Sequence, residues 1–247
     1  MGFLEQLWNR LPRNGGPVRG VWIGPYWTAV QTDAGAGLAA TLLDPGPTHG
    51  EHAQRLPGAG HLTQMSAHEL AEGVLAELPL ARSIGLAALN ALLPEPAGKI
   101  TERNAGELAA ERGAGKTVGV AGWFPFIPQL EHAAARVELF EQDPETGFAM
   151  TAERAARWSR CDVLCITASA LLNGTLDGIL KAARPGAWKM LVGPSAPLCR
   201  ATLALGFDAV CGARVDDVPA VVRVVQEGGC FQQIRQTGAV RLLTLEA

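Results

Sequence analysis

A chain of 247 residues that is 48% hydrophobic and 18% charged has enough apolar material for one large core or two modest ones. Its formal net charge of -3 gives no electrostatic reason to expect nucleic acid or an anionic membrane as partner. Five cysteines, an odd number without a disulfide-framework spacing, favour a reduced, cytoplasmic protein.

Taken from the start, Phe3 to Arg10 reads as a short amphipathic helix that Asn14-Gly15-Gly16-Pro17 breaks. Glu5, Asn9, Arg10 and Arg13 interrupt any apolar signal core there. Three strands follow at Val18 to Ile23, Trp27 to Thr32 and Leu38 to Leu43. Gly24-Pro25 and Asp33-Ala34-Gly35 supply the turns of an antiparallel meander. Residues 44–60, rich in Pro, Gly and His, read as a loop. Two helical patterns come next, Ala67 to Glu77 and Ser83 to Leu93, with Ser66 and Glu69 spaced as a capping box. The apolar run at Ile84 to Leu93 is too short to span a bilayer. These elements make residues 1–100 a small α+β domain. Residues 101–116 form a polar connector with a helical turn near Asn104 to Arg112.

From Thr117 onward, strands and helices alternate, so residues 117–247 read as an α/β domain. The strands are Thr117–Ala121, Arg136–Phe140, Asp162–Thr167, Lys189–Val192, Ala209–Cys211 and a last one over Val240 to Leu245. Apolar strands separated by helical crossovers imply a parallel sheet covered on both faces. Right-handed crossovers then bring all the strand ends to one edge, where such sheets bind ligands. Three turns meet at that edge: Gly122 to Pro128, Thr167 to Thr175, and Gly193 to Pro197.

Several familiar patterns fail on spacing. Gly113-Ala114-Gly115-Lys116-Thr117 resembles the end of a phosphate loop, but it precedes a strand and Ala110 stands where a glycine is required. Gly193-Pro194-Ser195-Ala196-Pro197 is close to a nucleophile elbow, yet no histidine follows Ser195 to serve as base. Ser195 is better read as a helix N-cap or a ligand hydrogen-bonder. The stretch Gly119-Val120-Ala121-Gly122 with Glu141 after the next strand approaches a dinucleotide fingerprint, but Trp123 to Pro128 is too bulky for a pyrophosphate; Glu141 remains a candidate for an adenosine-like group.

His49, His52, His61 and His68 are dense but lack compact ligand spacing, so a metal site and a solvated loop are both open. Cys161 and Cys165 lie on one face of a strand and read as buried thiols. Phe124 and Phe126, at a strand end, read as ligand wall or as core. Asn173, Gly174 and Thr175 beside Ser169 suggest either a polar ligand site or helix capping.

The turns carry a resemblance. Gly122-Trp-Phe-Pro-Phe126, Ile166-Thr-Ala-Ser-Ala-Leu-Leu-Asn-Gly-Thr175, Val192-Gly-Pro-Ser-Ala-Pro-Leu198 and Gly206-Phe-Asp-Ala-Val-Cys-Gly212 are similar to the heavy-metal-chelation family of Rossmann-like proteins. Ile23 to Val30 and Ser83 to Ala91 are similar to that family's companion domain. The resemblance covers nearly the whole chain. It implies an enolase-N-terminal-like α+β domain, a Rossmann-like domain and a cleft between them. Mapped onto this sequence, it implies cleft residues Asn90, Gly122, Phe124, Pro125, Thr167, Ser169, Asn173, Thr175, Gly193, Ser195 and Pro197. Ala168 departs from the family's glycine and narrows the pocket.

Three functions follow as expectations. The first is binding of a small molecule or metal complex in the cleft, with a transition-metal ion entering as that ligand. The second is an enzyme acting on a small nucleotide-like or cofactor-like substrate, with Glu141, Asp177, Asp216 or Asp217 as titratable candidates. The third is an interaction module, for which an exposed apolar patch away from the cleft is the mark. A homo-oligomer is compatible with this class.

Overall fold

The structure is a computed structural model that describes residues 1–13, 15–43, 55–94, 99–140 and 150–247. Glu141, His49 and His52 lie outside the described residues. After helix α1 (Phe3–Trp8), strands β1 (Val18–Ile23), β2 (Trp27–Thr32) and β3 (Ala36–Ala40) form an antiparallel sheet in the order β1-β2-β3. Helices α2 (Ala67–Glu72) and α3 (Pro79–Leu92) follow. The expected capping box starts α2: Ser66 Oγ accepts from Glu69 N–H, and the Glu69 carboxylate accepts from Ser66 N–H at 2.8 Å. Pro79 occupies the first turn of α3, where its missing N–H costs nothing.

The small sheet is covered on both faces. Helix α3 lies on one of them, so closely that a Cβ at Gly37 on β3 would stand 2.2 Å from the Ala87 carbonyl oxygen. On the other face Ala29 and Leu38 join Val221, Val225 and Ile234 in one cluster. Trp27 packs on Phe231 at 5.2 Å between ring centroids. Two-sided burial matches the run of three consecutive buried residues at the centre of both β2 and β3.

The second sheet has seven strands: β4 (Lys99–Thr101), β5 (Thr117–Ala121), β6 (Arg136–Phe140), β7 (Val163–Thr167), β8 (Trp188–Val192), β9 (Ala209–Val215) and β10 (Val240–Glu246), ordered β4-β10-β9-β8-β7-β5-β6. Strands β5 through β9 pair in parallel; β10 runs antiparallel to both β9 and β4. Around them lie α4 (Ala105–Gly113), α5 (Ile127–Ala133), α6 (Ala152–Trp158), α7 (Ser169–Leu172), α8 (Leu176–Ala182), α9 (Arg200–Ala204), α10 (Val218–Gln226) and α11 (Phe231–Gln236). The stretch read as a polar connector folds as the end of β4 and as α4. Asn104 caps that helix by accepting from Gly106 N–H at 2.7 Å, while Leu108 and Ala109 are buried beneath it. Gly113 closes α4 and Thr117 opens β5, so the Gly-Lys-Thr run is a turn into a strand.

One hydrophobic cluster passes through both lobes, joining Phe3, Leu7, Leu86 and Leu89 to Ile166, Leu171, Leu191 and Val210. Phe3 meets Phe207 edge-on at 5.7 Å. The lobes therefore share a core. No helix among the described residues is long and apolar enough to cross a membrane.

Candidate functional site

Strand β5 has β6 on one side and β7 on the other, so the chain changes direction of travel across the sheet there. That order, 2-1-3-4-5 in the parallel strands, places a topological switch point between the carboxyl ends of β5 and β7. The turns above those ends are held level with one another. Gly122 N–H donates to the Phe140 carbonyl (3.2 Å), Ala168 N–H to that of Val192 (2.8 Å) and Gly193 N–H to that of Cys211 (2.9 Å). Gly122 has φ +107, outside the range open to L side chains, and lies against Thr167: a Cβ there would be 2.8 Å from Thr167 Cγ2. Ala168 meets Gly193 in the same way, its Cβ 3.3 Å from where a Gly193 Cβ would be.

The N-terminal lobe covers only part of this edge. Ala40 N–H donates to Ser195 Oγ at 2.9 Å. Asn90 on α3 spends both amide hydrogens, one on the Leu38 carbonyl (2.9 Å) and one on the Ser195 carbonyl (3.1 Å). Arg82, two turns earlier on α3, donates to the Leu172 carbonyl at 2.8 Å. Ser195, Ala196 and Pro197 are buried. Ser195 and Asn90 thus clasp the lobes together. Their side-chain polar groups are committed to the protein, apart from Asn90 Oδ1, which is buried with no partner among the described residues.

Among the described residues, the turns above β5 and β7 are the accessible part of this edge. Ser169 and Pro125 are exposed, and Gly122, Thr167 and Gly193 are partly so. Thr167 Oγ1 accepts from Ser169 N–H at 3.3 Å, which folds the two hydroxyls into one tight turn. Trp123 is 71% exposed at this edge. Asn173 and Thr175 form a local cap: Asn173 Oδ1 accepts from both the Thr175 amide and its hydroxyl, at 3.1 and 2.7 Å.

Two expected wall residues point elsewhere. Phe124 and Phe126 stack on each other, with ring centroids 4.8 Å apart and planes 8° from parallel. Phe124 is buried with Leu108, Ile127 and Leu130, and Phe126 lies over Gly106 of α4. They are core under the turn rather than walls above it. The spacing of Phe124, Ile127 and Leu130 is a helical apolar stripe, and that signal leaves Trp123 as the outward ring.

The titratable candidates among the described residues are engaged by other protein groups. Asp177 accepts from Phe3 N–H at 2.9 Å. Asp216 is bonded by Arg214 (2.9 Å) and Arg241 (2.7 Å), and Asp217 caps α10 through Ala220 N–H. His68 stacks on Trp8 at 5.0 Å, and His61 is exposed. Among the described residues, no group of three or more His, Cys, Asp or Glu side chains is placed to hold a metal ion. Burial pushes the Cys161 thiol up to about 11 and that of Cys165 up to about 12, so neither is a ready thiolate.

A small antiparallel lobe clasped onto a doubly wound sheet defines a two-lobed α/β protein of Rossmann-like design. Two family profiles match, over residues 4–93 and 104–244, and both are described as "Putative heavy-metal chelation". The chain belongs to this family, whose larger domain is known as DUF364. Two solved structures share the fold. A DUF364 protein of unknown function from Desulfitobacterium hafniense is 22% identical with a TM-score of 0.78, the match covering 99% of this chain and 97% of that one. Another from Pyrococcus horikoshii is 18% identical with a TM-score of 0.76, with both chains covered completely. No curated protein matches the sequence.

Proposed function

We propose that this protein binds a small molecule, or a heavy-metal ion already held in one, at the turns above β5 and β7 on the carboxyl edge. The observation that carries this reading is the level row of turns at the switch point, with a positive-φ glycine pressed against Thr167 and the hydroxyls of Thr167 and Ser169 beside it. The ring of Trp123 adds an apolar face on which a planar group stacks. The donors here are neutral oxygens. They suit neither a soft ion nor a borderline one, so a heavy metal at this edge arrives with most of its ligands supplied by a chelator. The family description, heavy-metal chelation, is consistent with such a cargo.

Isothermal titration with free metal ions and with planar metal chelates tests the reading. Heat with a chelate, lost in Trp123→Ala and in Thr167→Val, is the expected result. Equal heats in the wild type and both variants, or no heat with any chelate, overturn it.

A further inference from the structure

Beneath the sheet, on the face that carries α4 and α5, three sulfur atoms occupy neighbouring positions. Cys165 on β7 pairs in register with Met190 on β8, and in a parallel sheet such partners point to the same face. Cys211 on β9 is two residues beyond Ala209, the partner of Met190. Ala209 leaves room beside it, and the Met190 thioether sulfur reaches to 3.5 Å from Cys211 Sγ. All three belong to one buried cluster with Val118, Val120 and Val163.

We propose that Cys211 and Met190, with the Cys165 thiol beside them as lining, form a buried, all-sulfur site for one soft monovalent metal ion of the Cu(I) or Ag(I) class. The ligand type selects that class, because thiolate and thioether donors together suit soft ions and reject Mg, Ca and Mn. The two sulfurs are already neighbours, 3.5 Å apart, so one ion can bond both after a small movement of the flexible Met190 side chain. Charge selects the valence. One thiolate cancels one positive charge, so a neutral unit enters the apolar layer, whereas a divalent ion with the same single thiolate stays charged and carries a large burial cost.

Loading is an exchange without electron transfer. The Cys211 thiol gives its proton to solvent, a sulfur–metal bond replaces the sulfur–hydrogen bond, and Met190 adds a lone pair. Thr244 Oγ1 lies 3.2 Å from Cys211 Sγ, but its own hydrogen goes to the Arg103 carbonyl at 2.8 Å. Entry is from the carboxyl edge: Cys211 is 8% exposed, and its carbonyl accepts from Gly193 in the turn above. This site is separate from the ligand crevice proposed above, and neither reading needs the other.

The test uses the full chain with Cys230→Ser, which removes the one exposed thiol. Native mass spectrometry after Ag(I) loading and desalting is expected to show one retained ion. Sulfur-only coordination is expected in the absorption spectrum at the metal edge. Met190→Leu conserves volume and so keeps the fold. It is expected to weaken Ag(I) binding at least tenfold, and Cys211→Ser is expected to abolish it. Cys161→Ser, whose sulfur faces the Arg157 carbonyl at 3.6 Å, is expected to bind as before. Undiminished Ag(I) binding in Met190→Leu, retention in Cys211→Ser, or nitrogen or oxygen ligands at the ion would overturn the proposal.

Discussion

Replacing Gly122 with alanine tests the geometry of the switch point directly. The new Cβ lands 2.8 Å from Thr167 Cγ2 and 2.9 Å from Thr167 Cβ, both inside van der Waals contact. It also meets the backbone penalty of φ +107, which costs about 1–3 kcal/mol for a non-glycine residue. Overpacking of this kind adds about 1–3 kcal/mol. The substitution is therefore expected to destabilise by about 2–6 kcal/mol. The steric share is removed by Thr167→Gly, and the backbone share is not. In a double-mutant cycle by urea unfolding, Gly122→Ala is thus expected to cost at least about 1 kcal/mol less in the Thr167→Gly background. A cost below about 1 kcal/mol in the wild-type background, or no coupling to residue 167, would refute the reasoning.

Other consequences are open to measurement. Asn90→Leu strips the hydrogen bonds to Leu38 and Ser195 and leaves two carbonyls short of a donor, so a loss of about 2–4 kcal/mol is expected by chemical denaturation. Combined with Ser195→Ala, it should be non-additive, since both residues belong to one clasp. The Arg157 guanidinium, aided by Arg136, holds the Glu138 carboxyl below its ordinary range. Its stabilising share is complete above the ordinary glutamate value and lost as the pH falls through the lowered one, so Glu138→Gln is expected to flatten the acid limb of stability against pH. Burial raises the Cys165 thiol from 9.0 to about 12, so above pH 9 the unfolded chain ionises first and stability falls. Cys165→Ala is expected to remove part of that alkaline loss, read by thermal unfolding across pH. A thiol reagent at neutral pH is expected to label Cys230 rapidly and the four buried cysteines only after denaturation.

The parallel strands were legible because each is an apolar run flanked by turn residues, and burial on both faces makes such runs continuous. The observed β5 and β6 have the expected bounds, Thr117–Ala121 and Arg136–Phe140. Strand β4 was not legible: three residues, Lys99–Thr101, acquire strand character only by pairing with β10 far along the chain. Helix α11 was missed because Phe231–Gln236 is mostly polar and starts at Cys230, whose N–H is capped by the Gln233 side chain. At the edge, the turns could be named but not sorted. Whether an aromatic at a strand end faces ligand or core depends on the neighbouring helix, and here Gly106 of α4 receives Phe126. The role of Ser195 depends on Ala40, 155 residues away, and no local pattern reports that bond.

The central claim is that the switch point between β5 and β7 holds a ligand, and the most direct measurement is native mass spectrometry of the protein purified from its own host. The account predicts a bound mass that leaves on unfolding and is absent from Trp123→Ala and Thr167→Val prepared identically. A bare chain in the wild type, or the same adduct undiminished in both variants, would contradict it.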